Sequence, residues 1–258
     1  MNNAKLDTEN LNILIQDVTL TLDKYFSNFD TEVLDFLKKL LPFFVVFYFK
    51  ILKHNAKDKD WIHKDEVIVM NNLFQILKNI LEIHINHTQI NKVSEIKKYF
   101  LENSYLTSQN SLQEIIDLVE FARFSKKENE KEKKANQISN KTFYILIDQS
   151  EIINNYHTSQ LEFIIKNNYS EILILVFVRP ILVAHFSKIN QAGSHSSLNF
   201  YQRESDKPAI QDHKLNAKLN SLGFDVLVTD GSDMIAIERA INYAKNLQKP
   251  TVILLNIN

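Results

Sequence analysis

Glycine is unusually scarce in this chain of 258 amino acids, and cysteine is absent. It contains three glycines, Gly193, Gly223 and Gly231, and no cysteine, whereas glycine usually makes up about 7% of a protein. A phosphate-binding loop needs glycine, because its backbone must come close to the phosphate and adopt positive φ values. The chain therefore has little glycine for such a loop, and the absence of cysteine excludes disulfide bonds and thiolate chemistry.

The chain also lacks an excess of one charge and a long hydrophobic run. Its formal net charge is −1, so bulk charge favours neither nucleic acid nor an anionic membrane as a partner. The apolar run at 41–49 is too short to span a bilayer and is flanked by lysines, which is typical of a buried helix. The polar N-terminus does not resemble a signal peptide. We therefore expect a cytoplasmic protein that binds neither nucleic acid nor membrane.

The first half of the chain is predicted to be mostly helical. Apolar residues recur at helical spacing from Leu11 to Val18 and from Val33 to Leu41. Further helices are predicted near 73–84, 91–102 and 111–124, with one short strand at 67–70. Residues 126–140 carry alternating charges without an apolar face, which indicates a linker or loop within the domain.

The second half is predicted to alternate between strands and helices. Apolar strands are expected at 143–147, 172–178, 224–229 and 251–255, and helices at 158–166, 213–222 and 233–246. The polar stretch 187–207 is predicted to be a surface loop. Continuous apolar strands are typical of a parallel sheet that is covered on both faces. The predicted fold is a single α/β domain over residues 1–258, with a parallel sheet between helices and a helical N-terminal part.

The C-terminal strand-helix-strand unit contains a short acidic turn. Asp230 and Gly231 form a tight turn after the first strand, and Asp233 is placed to cap the helix that follows. This arrangement resembles the end of the N-terminal, thiamine diphosphate-binding domain of transketolases, which has Asp-Gly-His-Asp and then Lys-Pro-Thr. Ser232 stands where that family has histidine. We interpret Asp230, Gly231 and Asp233 as a family turn with a structural role.

A second segment carries the resemblance more specifically. Residues 51–72 match the transketolase pattern Leu-Lys-His-Asn-Pro-x-x-Pro-x-Trp and the strand after it, with identities at Leu52, Lys53, His54, Asn55, Trp61 and Asp65. The resemblance covers nearly the whole chain and is weak from 105 to 140. It implies the thiamine diphosphate-binding fold.

The cofactor motif of the family is largely missing. In transketolases the motif is Gly-Asp-Gly with a later Asn, and the Asp and Asn supply oxygens to Mg²⁺. Here Asp148 is retained, but Ile147 and Gln149 replace the glycines, and the Asn position falls near Val178 or Arg179. A permanent guanidinium charge about 4 Å from another cation costs roughly 4 kcal/mol at intermediate dielectric. We therefore expect no cofactor and no metal, and interpret Asp148 as a vestigial cofactor ligand.

Other transketolase signatures with histidine and glycine are replaced as well. The segments that should contain them read TEVLD at 31–35, Asn72-Leu73-Phe74 and Thr107-Ser108-Gln109-Asn110. Among the remaining histidines, His84 and His87 have a metal-like spacing without further ligands nearby, and His54, His63, His185 and His195 are better explained by surface or packing positions. We assign no catalytic residue.

These observations leave two main hypotheses for the function. The first is a degenerate, catalytically inactive transketolase-like protein that acts as a structural or interaction subunit. Its partner would be a second copy or a transketolase-like chain, and the aromatic run from Phe43 to Phe49 is expected to form part of the interface. The second is the N-terminal subunit of a split transketolase, which would use thiamine diphosphate and Mg²⁺ to transfer two-carbon ketol units between sugar phosphates. A binder of another small molecule, with Arg203 and His195 lining its cleft, is a third possibility.

Overall fold

The computed structural model describes residues 8–25, 31–53, 65–70, 72–86, 112–113, 116–117, 119–120, 123, 141–153, 157–178, 183–185, 199–201 and 208–257. The helices are α1 (Thr8–Tyr25), α2 (Thr31–Val46), a π-helical turn (Phe47–Ile51), α3 (Asn72–Asn86), α4 (Gln149–Ile153), α5 (Thr158–Lys166), α6 (Pro208–Leu222) and α7 (Met234–Asn246). The strands are β1 (Glu66–Val69), β2 (Phe143–Asp148), β3 (Ile172–Val178), β4 (Val183–His185), β5 (Asn199–Tyr201), β6 (Asp225–Asp230) and β7 (Thr251–Asn256). Residues described between 112 and 123 are also helical.

Five strands form one parallel sheet in the order β1-β2-β3-β7-β6. All residues of β2 and β3 and the first five of β7 are buried. Their continuous apolar sequences suit inner strands, because a parallel sheet is normally covered on both faces. Strand β6 at the edge is only partly buried. The predicted α/β fold with a parallel sheet is therefore confirmed.

Helices cover both faces of the sheet over separate hydrophobic clusters. One cluster joins α1, α2, α3 and α7 to side chains such as Leu146, Leu175 and Ile253. The other joins α5, α6 and the helical residues between 112 and 123 to the alternate side chains of the same strands, such as Ile145 and Ile174. This division follows from the strand geometry, since successive side chains point to opposite faces.

The aromatic run of α2 and the π-helical turn lies in the core of the first cluster. Phe43, Phe44 and Phe47 are fully buried. The ring of Phe43 stands edge-on to that of Phe177 with centroids 4.9 Å apart, and Phe47 meets Tyr144 in the same way at 4.9 Å. The expectation that these aromatic side chains form a subunit interface is wrong, because they pack against the sheet of their own chain.

Asp65 connects three segments at the amino-terminal edge of the sheet, which is opposite the edge where β2 and β3 end. Its carboxylate accepts hydrogen bonds from the backbone N–H groups of Lys53 and Thr142, each at 3.0 Å. Burial raises the pKa of Asp65, and the two N–H donors oppose that rise. Burial also lowers the pKa of Lys245, whose ammonium lies 5.2 Å from the centre of the Tyr144 ring. These contacts give the retained Asp65 a structural role.

The structure differs from the sequence expectations at several boundaries. Helix α6 begins at Pro208 instead of 213, the short helix α4 was not predicted, and β5 lies within the predicted loop 187–207. The predicted helix at 91–102, the linker 126–140, and His54, Asn55, Trp61, His63, His87, His195 and Arg203 lie outside the described residues. The extent of the single domain stays a prediction.

The side chain of Arg123 links the helical residues before it to the segment that follows α5 through an ion pair and hydrogen bonds. Its guanidinium donates to both carboxylate oxygens of Glu171, at 2.9 and 2.5 Å, and to the carbonyl oxygens of Asn167 at 3.3 Å and Asn168 at 2.9 Å. It also lies 4.4 Å from the centre of the Tyr169 ring. One side chain thus binds a carboxylate and satisfies carbonyl groups after a helix end.

We expect Arg123→Ala to lower the free energy of unfolding by about 1–2 kcal/mol, since the ion pair is partly exposed and the bonds to carbonyl groups are lost with it. Arg123→Lys should recover part of this loss, because an ammonium keeps the charge without the forked geometry. Urea unfolding measures both values. Arg239→Ala, at an exposed position of α7, is the matched control, and an equal loss in the control would contradict the assignment.

Candidate functional site

The carboxyl ends of the strands meet along one edge of the sheet, where α/β proteins usually bind their ligands. Asp148 ends β2 and pairs with Phe177 of β3, and Val178 ends β3 and pairs with Asn256 of β7. Asp230 ends β6 and also pairs with Asn256. The residues singled out in the sequence therefore do lie on the same edge.

Asp148 is a buried carboxyl group with only part of its hydrogen-bonding capacity satisfied. Its side chain Oδ1 accepts from the backbone N–H of Ser150 at 2.7 Å. Its Oδ2 is buried and has no hydrogen-bond donor among the described residues. Burial raises the pKa of Asp148 from 3.8 to about 6, and the nearby Glu151 adds to the rise while Ser150 opposes it. This carboxyl group therefore gains its proton at a higher pH than an exposed aspartate does.

The residues on either side of Asp148 have buried side chains, whereas a diphosphate-binding loop usually has glycine at such positions. Ile147 is 1% exposed and belongs to the second hydrophobic cluster, and Gln149 is 5% exposed and begins α4. Val178 is buried in the same cluster, and Arg179 lies outside the described residues. Side chains therefore occupy both positions at which the resembling family has glycine.

The described residues around Asp148 offer few oxygen ligands for a magnesium ion. The ion requires an ordered set of oxygen ligands, and Asp148 offers one unsatisfied carboxylate oxygen. The part of the chain that the structure describes holds no group of three or more His, Cys, Asp or Glu side chains arranged around a common point. Among the described residues at this strand end, Asp148 is therefore the one candidate side-chain ligand for such an ion.

Two further polar contacts follow Asp148 and were not predicted from the sequence. The Nε2 atom of His157 lies 3.4 Å from a carboxylate oxygen of Glu151. On the neighbouring helix α6, Lys218 donates a hydrogen bond to the carbonyl oxygen of Ile152 at the end of α4. Their position just after a strand end was the available signal, but neither spacing matches a familiar motif. Both contacts hold the short helix α4 in place.

In the turn after β6, backbone N–H groups of the same segment donate hydrogen bonds to the two aspartate side chains. Asp230 accepts from the N–H of Ser232 at 2.8 Å, and Asp233 accepts from the N–H groups of Ile235 at 2.8 Å and Ala236 at 3.1 Å. Asp233 is thus the N-cap of α7, as the sequence predicted. The oxygen atoms that make these bonds serve the turn and the helix.

Gly231 allows two chain segments to approach closely. Its N–H donates to the carbonyl oxygen of Asn256 at 2.7 Å. A Cβ atom at this position would collide with Cδ1 of Ile257 and lie 3.2 Å from the same carbonyl oxygen. The glycine is required for packing against the end of β7, and this explains its presence without a ligand.

Asp148 and the turn at Asp230 are too far apart to bind one ion. The order β2-β3-β7-β6 puts three strand spacings between them, or about 14 Å at about 4.8 Å for each spacing. Asp233 lies beyond Asp230 in the same turn. The edge therefore holds two separate polar features, of which Asp148 alone has a buried oxygen without a partner in the described structure.

The described helices and strands have the fold of transketolase domains. The chain resembles the structure of transketolase from Leishmania mexicana with a TM-score of 0.62 and 14% identity over 86% of its length. For transketolase from Campylobacter jejuni the TM-score is 0.59, with 16% identity over 84% of the chain. The Pichia stipitis enzyme in complex with sedoheptulose-7-phosphate gives 0.59, with 17% identity over 84%.

These similarities confirm the predicted transketolase-like fold, and identities this low establish the fold alone. The chain spans about a third of the length of each solved protein, 32%, 32% and 31% respectively. No protein-family model and no curated protein matches the chain. None of the described helices has the length and apolar character that a membrane span requires.

The raised pKa of Asp148 predicts a specific pH dependence of stability. The carboxyl group is protonated more easily in the folded chain, so its ionisation disfavours folding above pH 6, and this effect disappears as the pH falls below about 4. At about 1.4 kcal/mol for each pKa unit, the effect reaches at most about 3 kcal/mol. Asp148→Asn should therefore stabilise the protein at pH 7.5 and have little effect at pH 4.

Urea unfolding between pH 4 and 8 measures this difference. Asp35→Asn, at an exposed position of α2, is the control and should leave the difference between pH 4 and pH 7.5 as it is in the unaltered protein. A stability change for Asp148→Asn that is the same at every pH would contradict the assignment of a buried, proton-binding carboxyl group.

The packing role of Gly231 is testable with a double mutant. Gly231→Ala should cost about 1–3 kcal/mol because the added methyl group overlaps Ile257. The cost should fall when Ile257→Val removes the overlapping Cδ1 atom. Gly223→Ala is the control, because its cost comes from a φ of 98° and should not depend on residue 257. An unchanged cost of Gly231→Ala in the Val background would contradict the packing account.

Proposed function

We propose that this chain is a catalytically inactive transketolase-fold protein that acts as a structural or interaction subunit. The observation that supports this most strongly is the state of Asp148. The position that binds a metal ion in the resembling family holds a buried carboxyl group, and burial raises its pKa to about 6. Ionising this buried carboxyl group costs free energy, and a divalent cation that bound here would have to offset that cost.

The residues on either side of Asp148 support the same proposal. Ile147 and Gln149 carry buried side chains where the family has glycine, so a diphosphate could approach the backbone only if these side chains moved. The retained Asp230, Gly231 and Asp233 have structural explanations in the turn, the packing against β7 and the cap of α7. These structural roles account for the three retained residues without cofactor binding or catalysis.

The alternative is the N-terminal subunit of a split, thiamine diphosphate-dependent transketolase. One specific observation favours it: Oδ2 of Asp148 is buried and has no donor among the described residues, as a carboxylate that awaits a cation would. In that case the free energy of metal binding would have to offset the cost of ionising the buried carboxyl group. Cytoplasmic localisation stays a prediction under either hypothesis.

We expect thiamine diphosphate with Mg²⁺ at millimolar concentration to leave the melting temperature of the full chain unchanged. A ligand that binds the native state stabilises it by about 2.7 kcal/mol at a hundredfold excess over its dissociation constant, which shifts the melting temperature by several degrees. Differential scanning calorimetry measures the shift. A saturable increase that needs both the coenzyme and Mg²⁺, and that Asp148→Asn abolishes, would establish the split-enzyme alternative and refute the proposal.

A companion variant tests whether the loss is local to this site. Gln149→Gly with Arg179→Asn restores one glycine and the missing amide while leaving the buried Ile147 in place. Ile147→Gly is avoided because emptying this core position costs roughly 3 kcal/mol or more. Binding of the coenzyme by the restored variant, with none by the unaltered chain, would place the defect at these positions.

A further inference from the structure

Strand β6 is an incompletely covered edge of the parallel sheet. Among the described residues it pairs with β7 alone. Its side chains are partly buried or exposed, whereas β2 and β3 are buried throughout. Val228 in the second half of the strand is 56% exposed. Strand β6 therefore has backbone groups that pair with no other described strand, and it carries an exposed branched apolar side chain.

The direction of the backbone groups along β6 follows from one hydrogen bond. The N–H of Gly231 points to β7, where it donates to the carbonyl oxygen of Asn256. Backbone groups of successive residues in a strand point to opposite sides, so Val226 and Val228 direct their N–H and C=O groups away from β7, as does the N–H of Asp230. The C=O of Asp230 accepts a hydrogen bond from the N–H of Asp233 within the turn. Val228 is the central one of these three outward-facing residues.

Proteins usually protect such an edge with charged side chains, above all lysine, with proline or with a bulge. Between its terminal aspartates, β6 reads Val-Leu-Val-Thr and contains none of these residues. The register of six consecutive pairs with β7 also shows no bulge. As far as the described part of the chain shows, this edge is thus open to pairing with another strand.

We propose that β6 pairs antiparallel with β6 of a second copy of this chain, with Val228 on the twofold axis. A twofold axis perpendicular to the sheet requires a residue to face its own copy, and Val228 can do so as a hydrogen-bonded pair. In this register Val226 faces Asp230 of the partner subunit. The two copies of Val228 exchange N–H to C=O hydrogen bonds, and the N–H of Asp230 in each copy donates to the C=O of Val226 in the other. The two five-stranded sheets become one continuous sheet.

The charges along β6 are compatible with this self-pairing. No aspartate stands opposite an aspartate, because Asp225 lies opposite Gly231 of the partner subunit and Asp230 lies opposite Val226 of the partner subunit. Asp225 is also neutralised by Lys249, whose ammonium lies 2.6 Å from its carboxylate. The most exposed apolar side chain of the strand meets its own copy and is removed from water. These features favour a second copy of the chain as the partner of this edge.

The first test is the mass of the full chain in solution. Sedimentation equilibrium should detect a dimer of about 60 kDa, twice the chain mass of 30.2 kDa, at concentrations of tens of micromolar, since a single pair of strands makes a small interface. Val228→Lys should weaken the dimer at least about tenfold, because like charges would face each other on the axis. Leu20→Lys, at a position of α1 that is 66% exposed, is the control and should leave it unchanged.

The register itself is tested by mixing charge variants. Val228→Lys and Val228→Glu should each be monomeric, and an equal mixture should form a heterodimer, because only residues on the axis face the same position in the other copy. An unaltered chain that remains monomeric at ~100 μM, or a dimer that Val228→Lys leaves intact, would overturn the proposal. A mixture that stays monomeric would overturn the register.

The lack of cysteine allows an independent test if the lysine variant does not fold. Val228→Cys should form a disulfide-linked dimer under mild oxidation, because the two Cα atoms of a hydrogen-bonded antiparallel pair are about 5.5 Å apart. Leu20→Cys should not form one at the same rate, and equal rates would overturn the proposal. The inference extends the proposed interaction role and is separable from it: coenzyme binding at Asp148 would refute inactivity without affecting β6, and a monomer would refute this pairing without restoring catalysis.

Discussion

The burial of the three inner strands on both faces is the constraint on which the rest of the structure depends. Because β2, β3 and β7 are apolar except at their ends and are packed from both sides, their register is fixed. A shift by one residue would move each side chain into the opposite hydrophobic cluster. The register therefore determines which residues emerge at the carboxyl edge, and it places Asp148 there between buried neighbours.

The same burial determines the chemistry at that edge. An aspartate at a strand end is a common ligand position when the adjoining loop is open and rich in glycine. Here the adjoining positions carry side chains that belong to the core, and α4 begins immediately after the strand. Asp148 is therefore surrounded by protein, and burial raises its pKa to about 6. The position of a ligand residue is retained, while its buried surroundings make ionisation of the carboxyl group cost more than it does in water.

The sequence predicted the parts of the fold that depend on local apolar patterns. The strand 172–178 and the helix 158–166 have the predicted bounds, because strong periodicity and clear breaks mark them. The aromatic run at 43–49 was correctly predicted to be a buried helix, but the expectation that it contacts a second subunit was wrong. Phe177 and Tyr144, which are distant in sequence, supply the contacts that the run was expected to make with another subunit. Tertiary contacts of this kind leave no trace in a local pattern.

The position of the candidate site could be predicted from the sequence, but the hydrogen bonding and protonation of its residues could be predicted only in part. Asp148 and the cap at Asp233 were identified from their places after strands, whereas the unsatisfied oxygen of Asp148 and the contact between Glu151 and His157 depend on three-dimensional packing. The outward direction of Val228 likewise depends on the hydrogen bond of Gly231. Sequence spacing indicates which residues share an edge, and packing determines whether they are solvated, satisfied or charged.

Crystals of the full chain soaked with thiamine diphosphate and Mg²⁺ at pH 7.5 test the central claim most directly. The account predicts electron density for neither group beside Asp148, with Ile147 and Gln149 keeping their buried side chains. An ordered diphosphate with a magnesium ion bound to the Asp148 carboxylate would contradict it.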